Sequence, residues 1–210
     1  MILIEKTDVS GFEATVRGMR NPMNSWKKSD SYWSDVDGAF HIGSADRKLM
    51  RQLVKSGTDH SKFMRFIVVS MDVTAPLYWW KEYDTYKVGT VANSCSTMHK
   101  ITEKEFEKSG FSHEHLAHSA QNILERTITE LNYWRTEYHA ATNGSRKKYC
   151  WWQMIQLLPS SYNQKRTLIL NYQVLRNIYH ARCNHKLDEW HDFCWWIKTL
   201  PESDLITMER

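Results

Sequence analysis

The chain has 210 residues, and its 28 lysines and arginines against 24 aspartates and glutamates give a net charge of +4. This length supports one domain, or at most two small ones, with a full hydrophobic core. The mild and dispersed positive charge suits an enzyme that binds anionic small molecules, and it does not indicate a nucleic-acid-binding protein.

Strand-like and helical segments alternate in the first half of the chain. Gly57 follows one helical pattern as a C-terminal capping residue, and Asp37-Gly38 marks a turn. A segment rich in Ile, Val and Phe predicts a buried strand. The expected elements are a strand at Met1–Ile4, a helix at Phe12–Met19, a loop at Asn21–His41, a helix at Asp46–Ser56, a strand at Phe63–Val73 and a helix or turn at Leu77–Thr85.

Helical patterns dominate the second half of the chain. We expect Asn143-Gly144 to stop the longest helix and Pro201 to end the last one. Few strands with many helices favour an α+β fold with one mostly antiparallel sheet flanked by helices, as a single domain over residues 1–210. The expected helices are Glu103–Lys108, His113–Ala141, Tyr149–Leu157, Gln164–Ala181 and about Lys186–Thr199.

The cysteines and histidines do not follow a metal-binding or disulfide pattern. No Cys-x-x-Cys spacing occurs, and a chain of this size has no need of disulfides. The group His113-Glu114-His115-x-x-His118 is interpreted as the polar start of a helix. No charged start precedes an apolar region, and there is no run of about 20 apolar residues. We therefore expect a cytoplasmic protein with no metal and no membrane partner.

The segment from Asn171 to Glu189 places polar groups along a helix that is expected to be core. One helical stripe contains Asn171, Leu175, Ile178 and Arg182. An arginine therefore shares a face with apolar residues. Burying an amide without a partner costs about 2–7 kcal/mol, and a guanidinium likewise needs an anion, a carboxylate or a polar ligand. Either Arg182 binds such a ligand, or it pairs with Glu189 while Asn171 acts as a cap or core hydrogen bonder.

Three tandem tryptophan pairs occur, Trp79-Trp80, Trp151-Trp152 and Trp195-Trp196. Neighbouring residues on a helix point about 100° apart, so one narrow face cannot bury both rings of a pair. Aromatic residues are enriched at the buried centres of protein interfaces, which favours a homo-oligomer. The alternative is a tryptophan-rich core in which one ring of each pair is half exposed.

The run NYQVLRNIYHARCNHKLDEW resembles the C-terminal motif of the flavin-dependent thymidylate synthases. In that family an Asn-x-x-x-Leu-x-Asn helix leads to an arginine and then to a His-Ala-Gln-x-Glu-like segment. With one residue dropped between Arg182 and His185, the matching residues are Asn171, Leu175, Asn177, Arg182, His185 and Glu189. Earlier landmarks follow in the family's order, namely Arg17, Gly57-x-x-His60-Ser61, Pro76-Leu77 and Leu158-Pro159. The resemblance extends roughly from Phe12 to Glu189.

The central flavin motif of that family, Arg-His-Arg-x-x-Ser-x-Asn-x-x-Ser-x-Arg, is altered in this chain. Asn93 and Ser96 match it, while Thr85 and Tyr86 replace the first arginine and the histidine. Lysine keeps the charge of an arginine but lacks the planar fork that binds phosphate through two hydrogen bonds. The remaining positions are Lys81 and Lys87 in place of arginines, Glu82 in place of a glutamine and Met98 in place of the last arginine.

The resemblance implies an enzyme that methylates dUMP reductively at uracil C5, using FAD, NADPH and methylene-tetrahydrofolate. Arg182 would be the catalytic residue, because it would contact the uracil ring and stabilise the charge that develops there. The cofactor-binding residues that it implies are His60, Lys87, Asn93, Asn171, Asn177 and His185. The substrate-binding residues, besides Arg182, are Lys81, Glu82 and Ser96, with Ser96 on the phosphate.

The resemblance also implies a homotetramer with sites built between subunits, and a bacterial or phage source. Three hypotheses stay open, namely a divergent thymidylate synthase, a related uracil C5-modifying enzyme such as a hydroxymethylase, and a non-catalytic binding or assembly protein. Arg182 together with Asn171 favours the two enzymes, since a purely structural protein has no particular need of a buried arginine. The altered Arg-His-Arg triplet favours the last two hypotheses.

Overall fold

The structure is a computed structural model, and it describes residues 2–209. It shows a mixed α/β fold with an antiparallel sheet and many helices, which confirms the expected α+β class. The strands are β1 (Leu3–Ser10), β2 (Tyr32–Trp33), β3 (Phe40–His41), β4 (Val68–Pro76), β5 (Thr90–Ser94) and β6 (Asn163–Asn171). Four of them form a sheet of order β1-β4-β6-β5, and β2 pairs with β3 in an antiparallel hairpin.

Nine α-helices lie between and after these strands along the described part of the chain. They are α1 (Phe12–Arg20), α2 (Ser44–Lys55), α3 (Leu77–Tyr83), α4 (Thr97–Lys100), α5 (His118–Ala140), α6 (Gly144–Leu157), α7 (Tyr172–Arg182), α8 (Asp188–Lys198) and α9 (Asp204–Thr207). Within residues 2–209, no helix is both long and apolar enough to cross a membrane.

The chain divides into two compact units. Unit 1 contains Val73–Thr85 and Asn93–Arg166, whereas unit 2 contains Ile4–Asp72, Tyr86–Ala92 and the chain from Thr167 onward. The expected organisation as a single domain over residues 1–210 therefore stays a prediction.

Unit 1 is built on the packing of α5 against α6. A hydrophobic cluster fills the space beside them, formed by Ile101, Phe106, Phe111, Leu124, Leu131 and Met154. Asn143 was expected to stop α5. It instead begins α6, because its side-chain oxygen accepts a hydrogen bond from the Arg146 N–H at 2.8 Å. The expected start of α5 at His113 is also wrong, since the helix begins at His118.

Helix α3 buries both rings of its tandem tryptophan pair, which differs from the alternative that one ring of each pair is half exposed. Trp79 and Trp80 are 0% and 1% exposed, and their rings meet edge to face at 4.8 Å. Trp80 Nε1 donates a hydrogen bond to the Gln164 carbonyl at 2.9 Å. The guanidinium of Arg166 lies 4.2 Å from the Trp80 ring centre. Because unit 1 surrounds this short helix, it offers a packing surface to each of the two rings.

The other two tryptophan pairs follow the expected pattern. Trp152 and Trp195 are 43% and 69% exposed, while their neighbours Trp151 and Trp196 are partly buried. Trp151 Nε1 donates to the Met98 carbonyl at 2.9 Å, and Trp196 Nε1 donates to the Thr7 hydroxyl at 3.2 Å. One ring of each pair therefore packs locally and the other faces outward.

Helix α7 carries much of the packing of unit 2, since it contacts α8, α9 and a 3₁₀ turn at Ser61–Arg65. Its buried Arg176 donates hydrogen bonds to the carbonyls of Leu205 and Ile206 at 3.0 and 3.1 Å. The Tyr172 hydroxyl donates to the Pro201 carbonyl. These bonds hold the C-terminal segment against α7.

The helix expected at Gln164–Ala181 is wrong in its first half. Residues up to Asn171 form β6, in which Leu168 and Leu170 are buried while Thr167 and Ile169 are exposed. This alternation has the period of a strand, but Leu168 also fits the helical spacing of the residues that follow. The Asn171 side chain accepts a hydrogen bond from the Val174 N–H at 3.1 Å, which starts α7.

Several other expected boundaries are corrected. The short helix expected at Glu103–Lys108 is absent, and α4 lies just before that segment. The strand expected at Phe63–Val73 begins only at Val68, after a 3₁₀ turn. The first strand extends to Ser10, and Met1 of its expected range lies outside the described residues. The sequence did not predict β5, which is short and mostly exposed.

The segment expected as a loop at Asn21–His41 carries the small β2–β3 hairpin and is fixed to α2 by Asp46. Asp46 is fully buried and accepts hydrogen bonds from Arg20 Nε at 2.6 Å, from the Ser29 hydroxyl at 2.6 Å and from the Ser31 hydroxyl at 2.7 Å. Asp30 in turn accepts from the N–H groups of Ala45 and Asp46 at the start of α2. One buried carboxylate therefore organises the segment after α1.

Candidate active site

Arg182, the last residue of α7, is held by two aromatic residues of unit 2. Its Nε donates a hydrogen bond to the Tyr86 hydroxyl at 2.9 Å. Its guanidinium carbon lies 4.9 Å from the centre of the Trp190 ring and 5.6 Å from that of Tyr86. Trp190 is 0% exposed, whereas Arg182 is only partly buried. The cation is therefore fixed against a rigid aromatic ring while part of it reaches solvent.

His185 completes this group, which we call the Arg182 cluster: Tyr86, Arg182, His185 and Trp190. The His185 N–H donates to the Arg182 carbonyl at 3.0 Å, and its ring meets Trp190 edge to face at 6.3 Å. Its Nδ1 accepts a hydrogen bond from the Leu187 N–H at 3.2 Å. Its position thus closes the turn between α7 and α8.

The turn after Tyr86 brings Lys87 into the same unit as Asn171. Gly89 of this turn has φ +78°, and a Cβ built on it would lie 3.1 Å from Val174 Cγ2 and 3.5 Å from Asn171 Nδ2. The turn therefore lies against the N-terminus of α7. Lys87 itself is exposed on this turn.

Replacing Gly89 with alanine should therefore destabilise the protein in two ways. A left-handed alanine costs about 1–2 kcal/mol, and its methyl group would also press on Val174. Gly57 is the matched control, because it has φ +100° but nothing within 4 Å of a built Cβ. In urea unfolding, Gly89→Ala is expected to lose more free energy than Gly57→Ala. Equal losses would show that the turn can move away from α7.

A second set of polar residues lies on or beside α7. The Ser61 hydroxyl donates to Gln173 Oε1 at 3.3 Å, so the His60-Ser61 pair lies beside α7. His60 is exposed at the start of the 3₁₀ turn. Asn177 is exposed one turn further along α7 and lines a cleft of about 410 Å³. The cleft is also lined by His180, Ala181 and Glu209.

Unit 1 contains a cavity of about 970 Å³ beside Ser96. The Ser96 side chain begins α4 by accepting a hydrogen bond from the His99 N–H at 3.3 Å. Lys100 and Lys165 also line the cavity, and Lys100 pairs with Glu103. Glu103, Glu105 and Glu107 also line it, so its lining offers hydroxyl and ammonium donors as well as three carboxylates.

The remaining predicted site residues also belong to unit 1. Lys81 and Glu82 lie on α3, where Lys81 is exposed and Glu82 is partly buried. Asn93 is exposed in β5. The structure therefore groups His60, Lys87, Asn171, Asn177, Arg182 and His185 in unit 2, and Lys81, Glu82, Asn93 and Ser96 in unit 1.

Two residues near these sites, Trp190 and Lys165, were not predicted from the sequence to contribute to function. Trp190 lies eight residues after Arg182 in the sequence, and its helical position next to buried Glu189 and Phe193 could have identified it as a core residue. Lys165 lies in the run that was expected to be a helix, and its charge could have been noted there. Neither pattern shows which group the side chain contacts.

Comparisons with known proteins identify the fold. No protein-family model and no curated protein sequence matches the chain. Among solved structures, it is similar to the flavin-dependent thymidylate synthase ThyX of Helicobacter pylori complexed with FAD and dUMP, with 17% identity, a TM-score of 0.67 and coverage of 98% of this chain and 97% of that one.

A second similar structure has a different described activity. It is the UMP/dUMP methylase PolB of Streptomyces cacaoi bound with 5-Br dUMP, with 14% identity, a TM-score of 0.61 and coverage of 99% of this chain and 95% of that one. At these identities the comparisons establish the fold, which is that of the flavin-dependent thymidylate synthases.

Proposed function

We propose that the chain is an enzyme that modifies C5 of the uracil ring of dUMP with the help of a flavin. The observation that carries the proposal is the Arg182 cluster, in which a partly buried guanidinium is fixed by a hydrogen bond and an aromatic ring. The likeness to solved structures with FAD and dUMP, and to one of a UMP/dUMP methylase, supports it. Reductive methylation is the leading reaction, and another C5 modification such as hydroxymethylation is the alternative.

The role of Arg182 follows from its charge and its restraint. During modification at C5, negative charge develops on the uracil ring and its carbonyl oxygens. A fixed cation stabilises that charge without having to reorient. An arginine also offers planar N–H donors that match carbonyl oxygens. We propose that Arg182 binds the uracil ring and stabilises its developing charge.

Several polar side chains of unit 2 are the proposed flavin ligands. Asn171 uses its oxygen as the helix cap, which leaves its amide Nδ2 as the donor group near Gly89. Exposed His60, Lys87 and Asn177 supply donors for ribityl and phosphate oxygens, and His185 stands beside Arg182. We propose that these residues of unit 2 hold FAD, and the expected role of Asn93 of unit 1 in FAD binding stays a prediction. Bound FAD would supply the reducing electrons, with NADPH as their source and methylene-tetrahydrofolate as the proposed carbon donor.

The nucleotide phosphate requires its own site. We propose that Ser96 contributes to the binding of the dUMP phosphate, beside a cavity that Lys100, Lys104 and Lys165 line together with three glutamates. Lys81 and Glu82 would make further polar contacts to the nucleotide.

We also propose that the enzyme is a homo-oligomer, with a tetramer favoured. Trp152 and Trp195 are 43% and 69% exposed, and the apolar residues Val91 and Ile123 are 65% and 66% exposed. Large exposed aromatic rings are enriched at protein interfaces, which supports the proposal. Size-exclusion chromatography with light scattering tests it.

The experiment that tests the function is the absorbance spectrum of the purified protein, as isolated and with added FAD. A flavin spectrum that changes when dUMP is added is expected, since the uracil ring at Arg182 would lie beside the flavin held by unit 2. Deoxycytidine monophosphate is the matched control, because it differs from dUMP only in the base. A protein that stays colourless with FAD and does not bind dUMP in calorimetry would contradict the proposal and favour a non-catalytic binding protein.

A further inference from the structure

We propose that Tyr86 is a positioning residue whose hydroxyl directs the Arg182 guanidinium toward the uracil ring. This inference rests on the proposed function and assigns a role to a side chain that stands at the position of the family's histidine. It predicts that the Tyr86 hydroxyl contributes to recognition of the base and not to recognition of the sugar phosphate.

An arginine side chain has large conformational freedom. Several rotatable bonds separate its guanidinium from the backbone, and ordering such a chain has a large entropic cost. Arg182 is the last residue of α7, so the helix fixes its backbone but not the direction of its end group. Other contacts must set that direction.

Two aromatic rings and one hydroxyl restrain the guanidinium in different ways. The buried Trp190 ring, whose centre lies 4.9 Å from the guanidinium carbon, restrains the distance of the guanidinium from the ring plane. The hydrogen bond from Nε to the Tyr86 hydroxyl, at 2.9 Å, restrains its rotation above that surface. A hydrogen bond with one ionised partner is about twice as strong as a neutral one, so this restraint is substantial. Together with the Tyr86 ring, 5.6 Å away, they restrict the orientation of the guanidinium.

Tyr86 is itself well placed to serve as a fixed acceptor. Its ring is partly buried and meets Trp190 edge to face, with 6.2 Å between the ring centres. Gly89 holds the turn that follows against α7. Because the ring is held by packing, removing only the hydroxyl should leave the ring in place and release the guanidinium.

The test is isothermal titration calorimetry on the full chain saturated with FAD, with two ligands, dUMP and 2-deoxyribose 5-phosphate. For Tyr86→Phe we expect up to about tenfold weaker binding of dUMP, because a guanidinium that has lost this restraint must be ordered when the base binds. Binding of deoxyribose 5-phosphate, which lacks the base, should be unchanged. Tyr133→Phe is the matched control, since Tyr133 is 50% exposed on α5, and it should change neither value.

A double-mutant cycle shows whether Tyr86 acts through Arg182. Adding Tyr86→Phe to Arg182→Ala should have no further effect on dUMP binding, because the hydroxyl then has no guanidinium to direct. Additive losses, or equal losses for both ligands, would overturn the inference. So would a Tyr86→Phe variant that binds dUMP like the wild type. Failure of the wild type to bind dUMP would instead overturn the proposed function. Thermal melting of each variant verifies the fold.

Discussion

Replacing Arg182 with alanine is expected to abolish measurable turnover of dUMP, a loss of at least about 10²–10³-fold, while the protein stays folded and assembled. Removing one preorganised charge-stabilising donor has that effect in other enzymes. The truncation should be tolerated structurally, because Arg182 is the last residue of α7 and is only partly buried. Its aromatic neighbour Trp190 remains packed against Phe193.

The measurement is tritium release from dUMP labelled at C5, with circular dichroism and light scattering on the same samples. Arg126→Ala is the matched control, since Arg126 is exposed on α5 and its loss should affect neither activity nor fold. Arg182→Lys should keep the charge but lose the planar fork, so we expect an intermediate rate. If Arg182→Ala unfolds or dissociates the protein, the arginine is a structural residue and the function loses its main support.

Helical periodicity in the sequence predicted some elements of the fold correctly and others wrongly. Helix α1 was predicted almost to its ends because its apolar residues recur at helical spacing over a full segment. Strand β6 was mistaken for a helix because it runs directly into α7 and shares Leu168 with the helical pattern. Only the cap residue Asn171 separates β6 from α7. From the sequence alone, this asparagine could equally be interpreted as a hydrogen-bonding residue of the core.

Arg182 was identifiable because a charge among apolar residues needs a partner. Its acceptor, Tyr86, lies 96 positions away along the chain, and no local periodicity links positions so far apart. Trp80 and Arg166 illustrate the same limit, since their contact depends on the packing of α3 against a strand. Sequence thus showed that a partner must exist, while only the fold showed which one.

A second large effect is expected at the buried Arg20–Asp46 pair. Asp46→Ala should lower the free energy of unfolding by about 3–5 kcal/mol, because it leaves the 4% exposed Arg20 without its buried counter-charge. It also leaves the hydroxyls of Ser29 and Ser31 without their acceptor. Urea unfolding monitored by circular dichroism measures the loss.

The exposed pair Arg51–Asp204 is the matched control for this loss. Its side chains are 45% and 40% exposed, so Asp204→Ala should cost no more than about 1 kcal/mol. Both variants remove an aspartate that an arginine Nε contacts, and they differ chiefly in burial. Similar losses for the two would show that Asp46 is not an organising residue of unit 2.

Acid gives an independent test of the same carboxylate. Burial raises the pKa of Asp46, but the hydrogen bonds from Ser29, Ser31 and Arg20 outweigh it and hold the pKa below its ordinary value of 3.8. A lowered folded-state pKa adds stability above pH 3.8, and this stability is lost as the pH falls through the folded-state value. The stability difference between wild type and Asp46→Ala should therefore shrink in strong acid. A difference that stays constant across that range would mean that the ionised carboxylate is not the group that holds the segment after α1.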